Sequence, residues 1–237
     1  MAAACTDISD NATTALSIEL EALPSPSVVV GDTMRDTTGV IAVPTVHLFN
    51  YEGDEIPPDG VRFYSADAGV SVDSVSGVIR GDSLRSTPAR IVAAVGSLQA
   101  LQNLDVTLRP DSIASVVARD TLQYSLADST LNISAQLTVK VTHGTPPADS
   151  AVRSYIVSFS VVSGGDPELA ELVNGAKASA VDTTDATGVA GRAVRIRPVH
   201  LPTGGVDSVI VNATVKYRGT PVSGSPVRLV VELRPPS

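Results

Sequence analysis

Residues 191–198, Gly-Arg-Ala-Val-Arg-Ile-Arg-Pro, alternate aliphatic and charged side chains. In an extended chain Val194 and Ile196 lie on one face, and Arg195 and Arg197 lie on the other. This period of two is typical of a strand with one buried side and one wet side. The stretch therefore predicts a β-strand at the surface of a sheet.

Short apolar or alternating runs, separated by Gly, Pro, Asp and Ser, recur along the whole chain. Helical periodicity is nearly absent, and a single short helical turn is predicted within Gly165–Asn174. Strands are predicted in the first half at Ser17–Ala22, Val40–Phe49, Arg62–Ser65, Val70–Val72, Val78–Arg80, Ala89–Val95 and Leu101–Leu108. In the second half they are predicted at Leu131–Thr142, Tyr155–Val162, Lys177–Val181, Gly191–Pro198, Asp207–Tyr217 and Val227–Leu233. The pattern is that of an all-β protein.

The length and composition favour two modest cores. A β-sandwich needs about 100 residues, and this chain has 237. The chain has no Trp, and aromatic residues make up 3%, so Val, Ala, Leu and Ile must fill the cores. We expect a tether at residues 1–15, one sandwich at 16–112 and a second at 113–237.

The charge is unevenly distributed along the chain. Residues 1–115 carry 6 Lys/Arg and 15 Asp/Glu, whereas residues 116–237 carry 11 and 10. The net charge of -8 and the absence of a basic run leave nothing to neutralise phosphates, so we expect no nucleic-acid partner. The acidic first half and nearly neutral second half predict different surfaces, either for different neighbours or simply as solvated faces.

The N-terminus, Met-Ala-Ala-Ala-Cys-Thr-Asp, places small residues before Cys5, which is the single cysteine of the chain. It resembles the end of a bacterial lipoprotein signal, although the apolar core of such a signal is missing. The resemblance implies lipidation of Cys5, with the polar residues that follow serving as a tether. The alternative is an ordinary free cysteine. No run approaches the roughly 18 to 20 apolar residues of a membrane-spanning helix.

Several turn and strand motifs resemble bacterial immunoglobulin-like domains. For residues 16–109 the resemblance is to group 2 of that family, and it rests on Val28–Thr33, Phe63–Asp67, Val72–Gly81 and Ala89–Ala93. For the second half it is to group 1, the invasin type, and it rests on Leu137–Val141, Val157–Val161, Thr183–Ala190 and Val211–Val215. The resemblance implies two tandem immunoglobulin-like β-sandwich domains, with Phe63 in the core position that Trp usually occupies.

The motif Asp185-Ala186-Thr187-Gly188 has a structural interpretation of its own. An Asp side chain can accept a hydrogen bond from the backbone two residues on, and Gly can adopt the positive φ that leads into the next strand. A turn is predicted here.

The sequence carries no recognisable catalytic or cofactor motif. Its three histidines, His47, His143 and His200, lie far apart, and no metal-ligand, nucleophile-elbow or phosphate-loop motif is present. The chain is therefore interpreted as non-catalytic, without catalytic, cofactor-binding or metal-binding residues.

Two clusters of charged residues could form binding sites. The acidic stretch of Glu52, Asp54, Glu55 and Asp59 could offer oxygen ligands to calcium, but it lacks the spacing of a dedicated loop and is better interpreted as a solvated loop tip. The set Arg192, Arg195 and Arg197 could face an acidic neighbour or lipid headgroups, or could keep the open face of a sheet soluble.

The function that fits these observations best is a structural or accessory subunit. It would sit in the periplasm or on the cell surface, anchored by lipid on Cys5. Its partners would be protein subunits of a membrane or envelope complex, such as a photosynthetic or secretion-type complex. The alternative is a surface adhesin or glycan-binding module, against which the shortage of aromatic residues counts.

Overall fold

The computed structural model describes residues 13–163, 166, 168–201 and 207–235, without the side chain of Ser163. Within these residues the chain is built from strands and two short 3-10 turns, Ser129–Leu131 and Pro198–His200. This confirms the predicted all-β class. No helix in this part of the chain has the length and apolar character needed to cross a membrane.

The described part of the first half, from residue 13 onward, contains nine strands in three sheets. They are β1 (Ser17–Leu20), β2 (Ser27–Val29), β3 (Val46–Phe49), β4 (Glu55–Ile56), β5 (Arg62–Ser65), β6 (Val70–Val72), β7 (Ile79–Gly81), β8 (Ala89–Val95) and β9 (Leu98–Thr107). The main sheet has the order β2-β9-β8-β5, with β2 parallel to β9. The three strands β1-β3-β4 and the hairpin β6-β7 are the other two sheets.

Two apolar clusters fill this first sandwich. One joins the main sheet to β6-β7 through Val28, Ile79, Ile91 and Leu104, and the other joins it to β1-β3-β4 through residues such as Leu48. The inward side chains are aliphatic, as the composition predicts. Phe63 is half-buried and packs at the edge of the second cluster, so the prediction that it fills the core position of a Trp is wrong.

Thirteen strands are found among the described residues of the second half. They are β10 (Ser112–Val117), β11 (Arg119–Gln123), β12 (Leu137–His143), β13 (Ser150–Ala151), β14 (Ile156–Ser163), β15 (Ala170–Asn174), β16 (Lys177–Ala178), β17 (Val181–Thr183), β18 (Val189–Ile196), β19 (Ser208–Thr214), β20 (Lys216–Tyr217), β21 (Thr220–Pro221) and β22 (Val227–Arg234). One sheet has the order β10-β12-β18-β15-β16, with β13 beside β12, and the other has the order β11-β22-β19-β14-β17. The hairpin β20-β21 stands apart from both.

A single apolar cluster lies between the two large sheets of this second sandwich. β12, β19 and β22 each turn every second residue inward, as in Val209, Val211 and Ala213 of β19. The alternation that predicts a strand at 191–198 is confirmed, since Val194 and Ile196 are buried in β18. The fold is thus two immunoglobulin-like β-sandwiches in tandem.

The predicted helical turn within Gly165–Asn174 is wrong where the structure describes that segment. Ala170–Asn174 is strand β15, paired antiparallel with β18 on one side and β16 on the other. Ala170, Leu172 and Val173 are buried against the core of the sandwich. The sheet partners outweigh the local helical preference of Glu, Leu and Ala.

The predicted turn at Asp185 is confirmed in detail. Asp185 Oδ1 accepts hydrogen bonds from the N–H groups of Thr187, at 2.7 Å, and Val189, at 3.0 Å. Gly188 has a φ of 80°, and a Cβ there would lie 2.7 Å from the carbonyl oxygen of Val141. Glycine is therefore required both for the backbone conformation and for the close approach of the neighbouring strand.

The same turn occurs once more in the first sandwich. Residues 36–40, Asp-Thr-Thr-Gly-Val, match residues 185–189, Asp-Ala-Thr-Gly-Val. Asp36 Oδ1 accepts from the N–H groups of Thr38 and Val40, at 2.9 and 3.0 Å. Its glycine, Gly39, points toward the second sandwich and leads to the site described next.

Candidate functional site

The two sandwiches are joined by an ion pair that crosses between them. Arg218, in the turn between β20 and β21, donates from Nε to Asp32 Oδ2 at 2.8 Å and from Nη2 to Asp32 Oδ1 at 2.9 Å. The Asp32 side chain is only 4% exposed, whereas that of Arg218 is 52% exposed. Two parallel hydrogen bonds between a guanidinium and a carboxylate fix direction as well as distance.

Asp32 has further partners that satisfy its charge. Arg35 contacts both carboxylate oxygens at 3.3 Å, and the N–H of Thr33 donates to Oδ1 at 2.8 Å. Burial raises the pKa of Asp32, but the hydrogen bonds from Arg218, Arg35, Thr33 and Tyr217 lower it by more. The pKa therefore lies well below its ordinary value, and Asp32 stays ionised. We call Asp32, Arg35, Tyr217 and Arg218 the clasp.

Backbones of the two sandwiches approach each other beside the clasp. Gly39 has a φ of 93°, and a Cβ on it would lie 2.1 Å from the backbone nitrogen of Gly219. A Cβ on Gly219 would in turn lie 3.0 Å from the carbonyl oxygen of Thr38. This contact leaves no room for a side chain at Gly39.

A second set of contacts joins the sandwiches near the link between them. Thr107 Oγ1 donates to the carbonyl oxygen of Arg153 at 2.7 Å, and Ser154 Oγ donates to Asp105 Oδ2 at 2.6 Å. The Arg153 guanidinium also donates to the carbonyl oxygen of Arg85. The orientation of the sandwiches is thus held at two separate places.

Residues of both sandwiches line a cavity of about 270 Å³. The first sandwich contributes β2 and the segment that carries Asp32, Met34 and Gly39, and the second contributes β14, β19 and the β20-β21 hairpin. Tyr155 lies in its wall, and burial raises the pKa of that phenol, so Tyr155 stays protonated. Its hydroxyl donates to the carbonyl oxygen of Lys216 at 2.7 Å.

Ser27, one of the residues that line this cavity, has a buried hydroxyl without a hydrogen-bond partner. It is 5% exposed, and its Oγ is the one buried side-chain polar atom, in the part of the chain that the structure describes, without a hydrogen-bond partner. Buried hydroxyls almost always find a partner, because an unmet one costs about 1 to 3 kcal/mol. Asp105 lies opposite Ser27 where β2 pairs with β9, and its Oδ2 already accepts a hydrogen bond from Ser154 Oγ.

Exposed apolar side chains gather at the far end of the second sandwich. Leu126 is 75% exposed and Val199 is 86% exposed, and both line one groove with Ile133 and Pro198. These four residues form what we call the tip patch. The patch lies at the end of β18. Ser154, which contacts the first sandwich, lies instead beside Thr184, just before the Asp185 turn that leads into β18.

The residues singled out from the sequence fall in different places. Cys5 and most of the predicted tether lie outside the described residues. In the acidic stretch, Glu55 contacts His47 at 2.5 Å and Glu52 accepts a hydrogen bond from the Tyr51 hydroxyl at 2.8 Å. Among the residues that the structure describes, no three His, Cys, Asp or Glu side chains form a group that could hold a metal ion.

The three arginines of β18 and its end do not form one surface. Arg195 and Arg197 both contact Glu171 on the outer face, at 3.3 Å. Arg192 is instead 4% exposed and pairs with Asp182 at 2.9 Å. It also donates to the carbonyl oxygens of Ser179 and Val181, because it points inward at the junction of the two sheets. All three arginines thus pair with acidic residues of the same sandwich, and the alternative of a shared solvated face does not hold for Arg192.

Each histidine is held by carboxylates of its own neighbourhood. His47 lies between Glu55 and Glu21, at 2.5 and 2.9 Å, and these contacts raise its pKa to about 9. His143 lies 2.7 Å from Asp111, and His200 lies 3.2 Å from Asp166. These pairs belong to three separate regions of the chain.

No family model matches the chain, and no curated protein matches it. The assignment of the two halves to groups 2 and 1 of the bacterial immunoglobulin-like domains therefore stays a prediction. Among solved structures, the chain is similar to domains 5–6 of the S-layer protein SbsC, at 14% identity and a TM-score of 0.32, with 94% of this chain and 99% of that chain covered.

Two further solved structures give similar figures. The D0-D1 domain of intimin matches at 14% identity and a TM-score of 0.27, with 92% of this chain and 95% of that chain covered. The EC1-2 portion of human protocadherin-24 matches at 13% identity and a TM-score of 0.29, with 94% of this chain and 100% of that chain covered.

Sequence reasoning missed the clasp, because Asp32 and its partner Arg218 lie 186 residues apart. The repeat of Asp-x-Thr-Gly-Val at residues 36–40 and 185–189 was a detectable signal. It would have placed equivalent turns in the two halves and drawn attention to Gly39.

Proposed function

We propose that the chain is a non-catalytic, extracytoplasmic structural module whose two sandwiches act as one rigid body. The observation that carries this proposal is the clasp, in which the buried Asp32 of one sandwich binds Arg218 of the other. A buried charge is costly without its partner, so the orientation that pairs the two residues is strongly favoured. A rigid pair of sandwiches suits a spacer or a docking subunit.

The tip patch supports docking as the role of this module. Leu126 and Val199 expose most of their surface, and contiguous exposed apolar side chains mark interaction sites more often than single ones do. A standard protein interface buries about 1,200 to 2,000 Å² in total over both partners. The tip patch, the surface around it and part of an adjacent face of the sandwich can supply this module's share of that area. The partner we propose is a protein subunit of a larger membrane or envelope complex.

The proposed module is held near its partner by a lipid on Cys5. The small residues before Cys5 and the polar residues after it support this part of the proposal. Such an anchor raises the effective concentration of the module beside a membrane complex, so a modest interface is sufficient. Intact-mass analysis of native protein should find a diacylglycerol-sized addition at Cys5, and an unmodified thiol would contradict the anchor.

Rigidity can be tested by a distance measurement between the sandwiches. In a Cys5→Ser background, Ser97→Cys and Ser129→Cys place spin labels at exposed sites, one on each sandwich. We expect a narrow distance distribution, broadened by Arg218→Ala and unchanged by Arg119→Ala, a matched arginine that is 74% exposed. If the protein with an intact clasp gave a distance distribution as broad as that of Arg218→Ala, the module would not be rigid.

Docking is tested separately, in native membranes. Affinity capture of the tagged chain should recover a defined membrane complex. Leu126→Glu should weaken that recovery, whereas Leu84→Glu, an exposed leucine of the first sandwich, should not. Equal recovery of the complex with both variants would show that the tip patch is not part of the docking interface.

A further inference from the structure

We propose that the cavity between the sandwiches binds a small, neutral, polyhydroxylated molecule about the size of one sugar ring. Sites for drug-sized ligands typically span about 300 to 1,000 Å³. The cavity, at about 270 Å³, lies just below that range. Its occupant is therefore small, and a glycan chain of several units does not fit.

The hydroxyl groups of the wall point to the class of ligand. Ser27, Thr33 and Thr37 of the first sandwich face the same space as Ser158 and Thr214 of the second. A hydroxyl can both donate and accept, so such a wall suits a ligand whose groups also do both. Ser27 Oγ lacks a partner within the described protein, but it is fully buried, so a ligand meets the hydroxyls of the other four residues instead.

The carboxylates around the cavity already have partners. Asp32 is paired within the clasp, and Asp36 accepts hydrogen bonds from Thr38 and Val40 in its own turn. Lys216 also lines the cavity, and it is exposed to solvent. A free cation is therefore not the preferred occupant, because each carboxylate of the wall is already bonded.

The apolar part of the wall completes the match. Val29 and Ile156 offer aliphatic surface next to the hydroxyls, with Tyr155 beside them. A sugar ring has the same mixture, since its C–H groups and its hydroxyls point in different directions. A phosphate or a carboxylate would leave the aliphatic part of the wall without a partner.

The position of the cavity gives the ligand a consequence for the whole molecule. A ligand there touches β2 of the first sandwich and β14 and β19 of the second. It binds only the orientation in which both walls are present, so it stabilises that orientation. The proposal does not depend on which partner the module docks to.

Saturation-transfer NMR and calorimetry on the full chain test the proposal. The probes are glucose, galactose, N-acetylglucosamine and glycerol, each at concentrations up to tens of millimolar. We expect at least one probe to bind, and Thr33→Val to reduce its affinity about tenfold or more, because a methyl group replaces the hydroxyl. Ser160→Val, an exposed position of the same strand as Ser158, should leave the affinity unchanged.

A second variant guards against a local folding defect at Thr33. Ser158→Leu, in the wall of the other sandwich, should also abolish binding while the far-ultraviolet spectrum stays that of the folded protein. Absence of binding by all four probes would overturn the proposal, as would unchanged affinity in both variants. Neither result depends on the label distances or on membrane capture, so the proposed function would be unaffected.

Discussion

Arg218 donates two parallel hydrogen bonds to Asp32, at 2.8 and 2.9 Å, across a separation of 186 residues. Asp32 is buried and Arg218 is half-exposed. Loss of this ion pair therefore destabilises the protein mainly because the buried carboxylate loses a hydrogen-bonding partner. Arg35 remains beside Asp32 when Arg218 is removed, but it belongs to the same sandwich. The pair with Arg218 is therefore the contact that couples folding of one sandwich to the position of the other.

Arg218→Ala should lower the free energy of unfolding by about 1 to 3 kcal/mol, the usual cost of removing a hydrogen-bond partner from a buried charged group. Arg119→Ala removes an arginine that is 74% exposed, 3.7 Å from Glu232. It should change the free energy of unfolding by less than about 0.5 kcal/mol. Urea unfolding of both variants provides the measurement, and equal effects would mean that the clasp contributes no stability.

Asp32→Asn should change how stability depends on acid. The pKa of Asp32 is lowered from an ordinary value of 3.8, so its contribution is present above about pH 4 and is lost as the pH falls toward the folded value. Wild type should therefore lose more stability than Asp32→Asn between pH 5 and pH 2. The difference between their free energies of unfolding should become smaller over that interval. Parallel curves over that interval would show that Asp32 is not coupled to folding.

Gly39→Ala should disturb the contact between the sandwiches. The new Cβ would lie 2.1 Å from the backbone nitrogen of Gly219, in addition to the strain of a φ of 93°. Gly53→Ala is the matched control, because Gly53 has a φ of 84° but no atom within 4 Å of the new Cβ. It should cost about 1 to 2 kcal/mol from backbone strain alone.

Gly39→Ala should cost more than that and should also broaden the distance distribution between spin labels on the two sandwiches. The label distances separate the two effects, since backbone strain at Gly53 leaves the contact intact. Identical results from the two variants would place Gly39 away from the contact.

His47 should titrate near pH 9. Its ring lies between Glu55 and Glu21, and hydrogen bonds to those carboxylates raise its pKa from 6.5 to about 9. The contribution to stability is complete below pH 6.5 and is lost as the pH rises through about 9. Two-dimensional NMR of the imidazole protons gives the midpoint, and Glu55→Gln should lower it. A midpoint near 6.5 in wild type would contradict the contacts.

Phe159 and Phe63 should differ in their importance for stability. Phe159 is 3% exposed in the core of the second sandwich, and Phe159→Ala should cost about 3 to 5 kcal/mol. Phe63 is half-buried at the edge of a cluster, so Phe63→Ala should cost about 1 to 3 kcal/mol. Chemical unfolding with probes in each sandwich would measure both, and a larger effect at Phe63 would mean that its side chain is buried.

Several local features followed directly from the residues. The strands Arg62–Ser65, Val70–Val72 and Ala89–Val95 have the bounds that their alternation and flanking turns predict. The Asp185 turn has the predicted hydrogen bonds and the predicted glycine conformation. These features depend on backbone preferences and on neighbours a few residues away.

Other predictions failed because distant partners decided the outcome. Ala170–Asn174 became a strand when β18 and β16 paired with it. Arg192 turned inward because Asp182 and the carbonyls of Ser179 and Val181 offered partners at the sheet junction. Strand β2 was not identified because three residues are too few to carry a period.

The sequence by itself determined the all-β class, the aliphatic cores and the turn at Asp185, since each follows from composition or from residues close in the chain. Only the tertiary structure decided which side chains meet between the sandwiches. Asp32 and Arg218, like Ser27 and Ser158, belong to different halves of the chain. Their meeting depends on how two separately folded sheets stack, and no period or motif records that geometry.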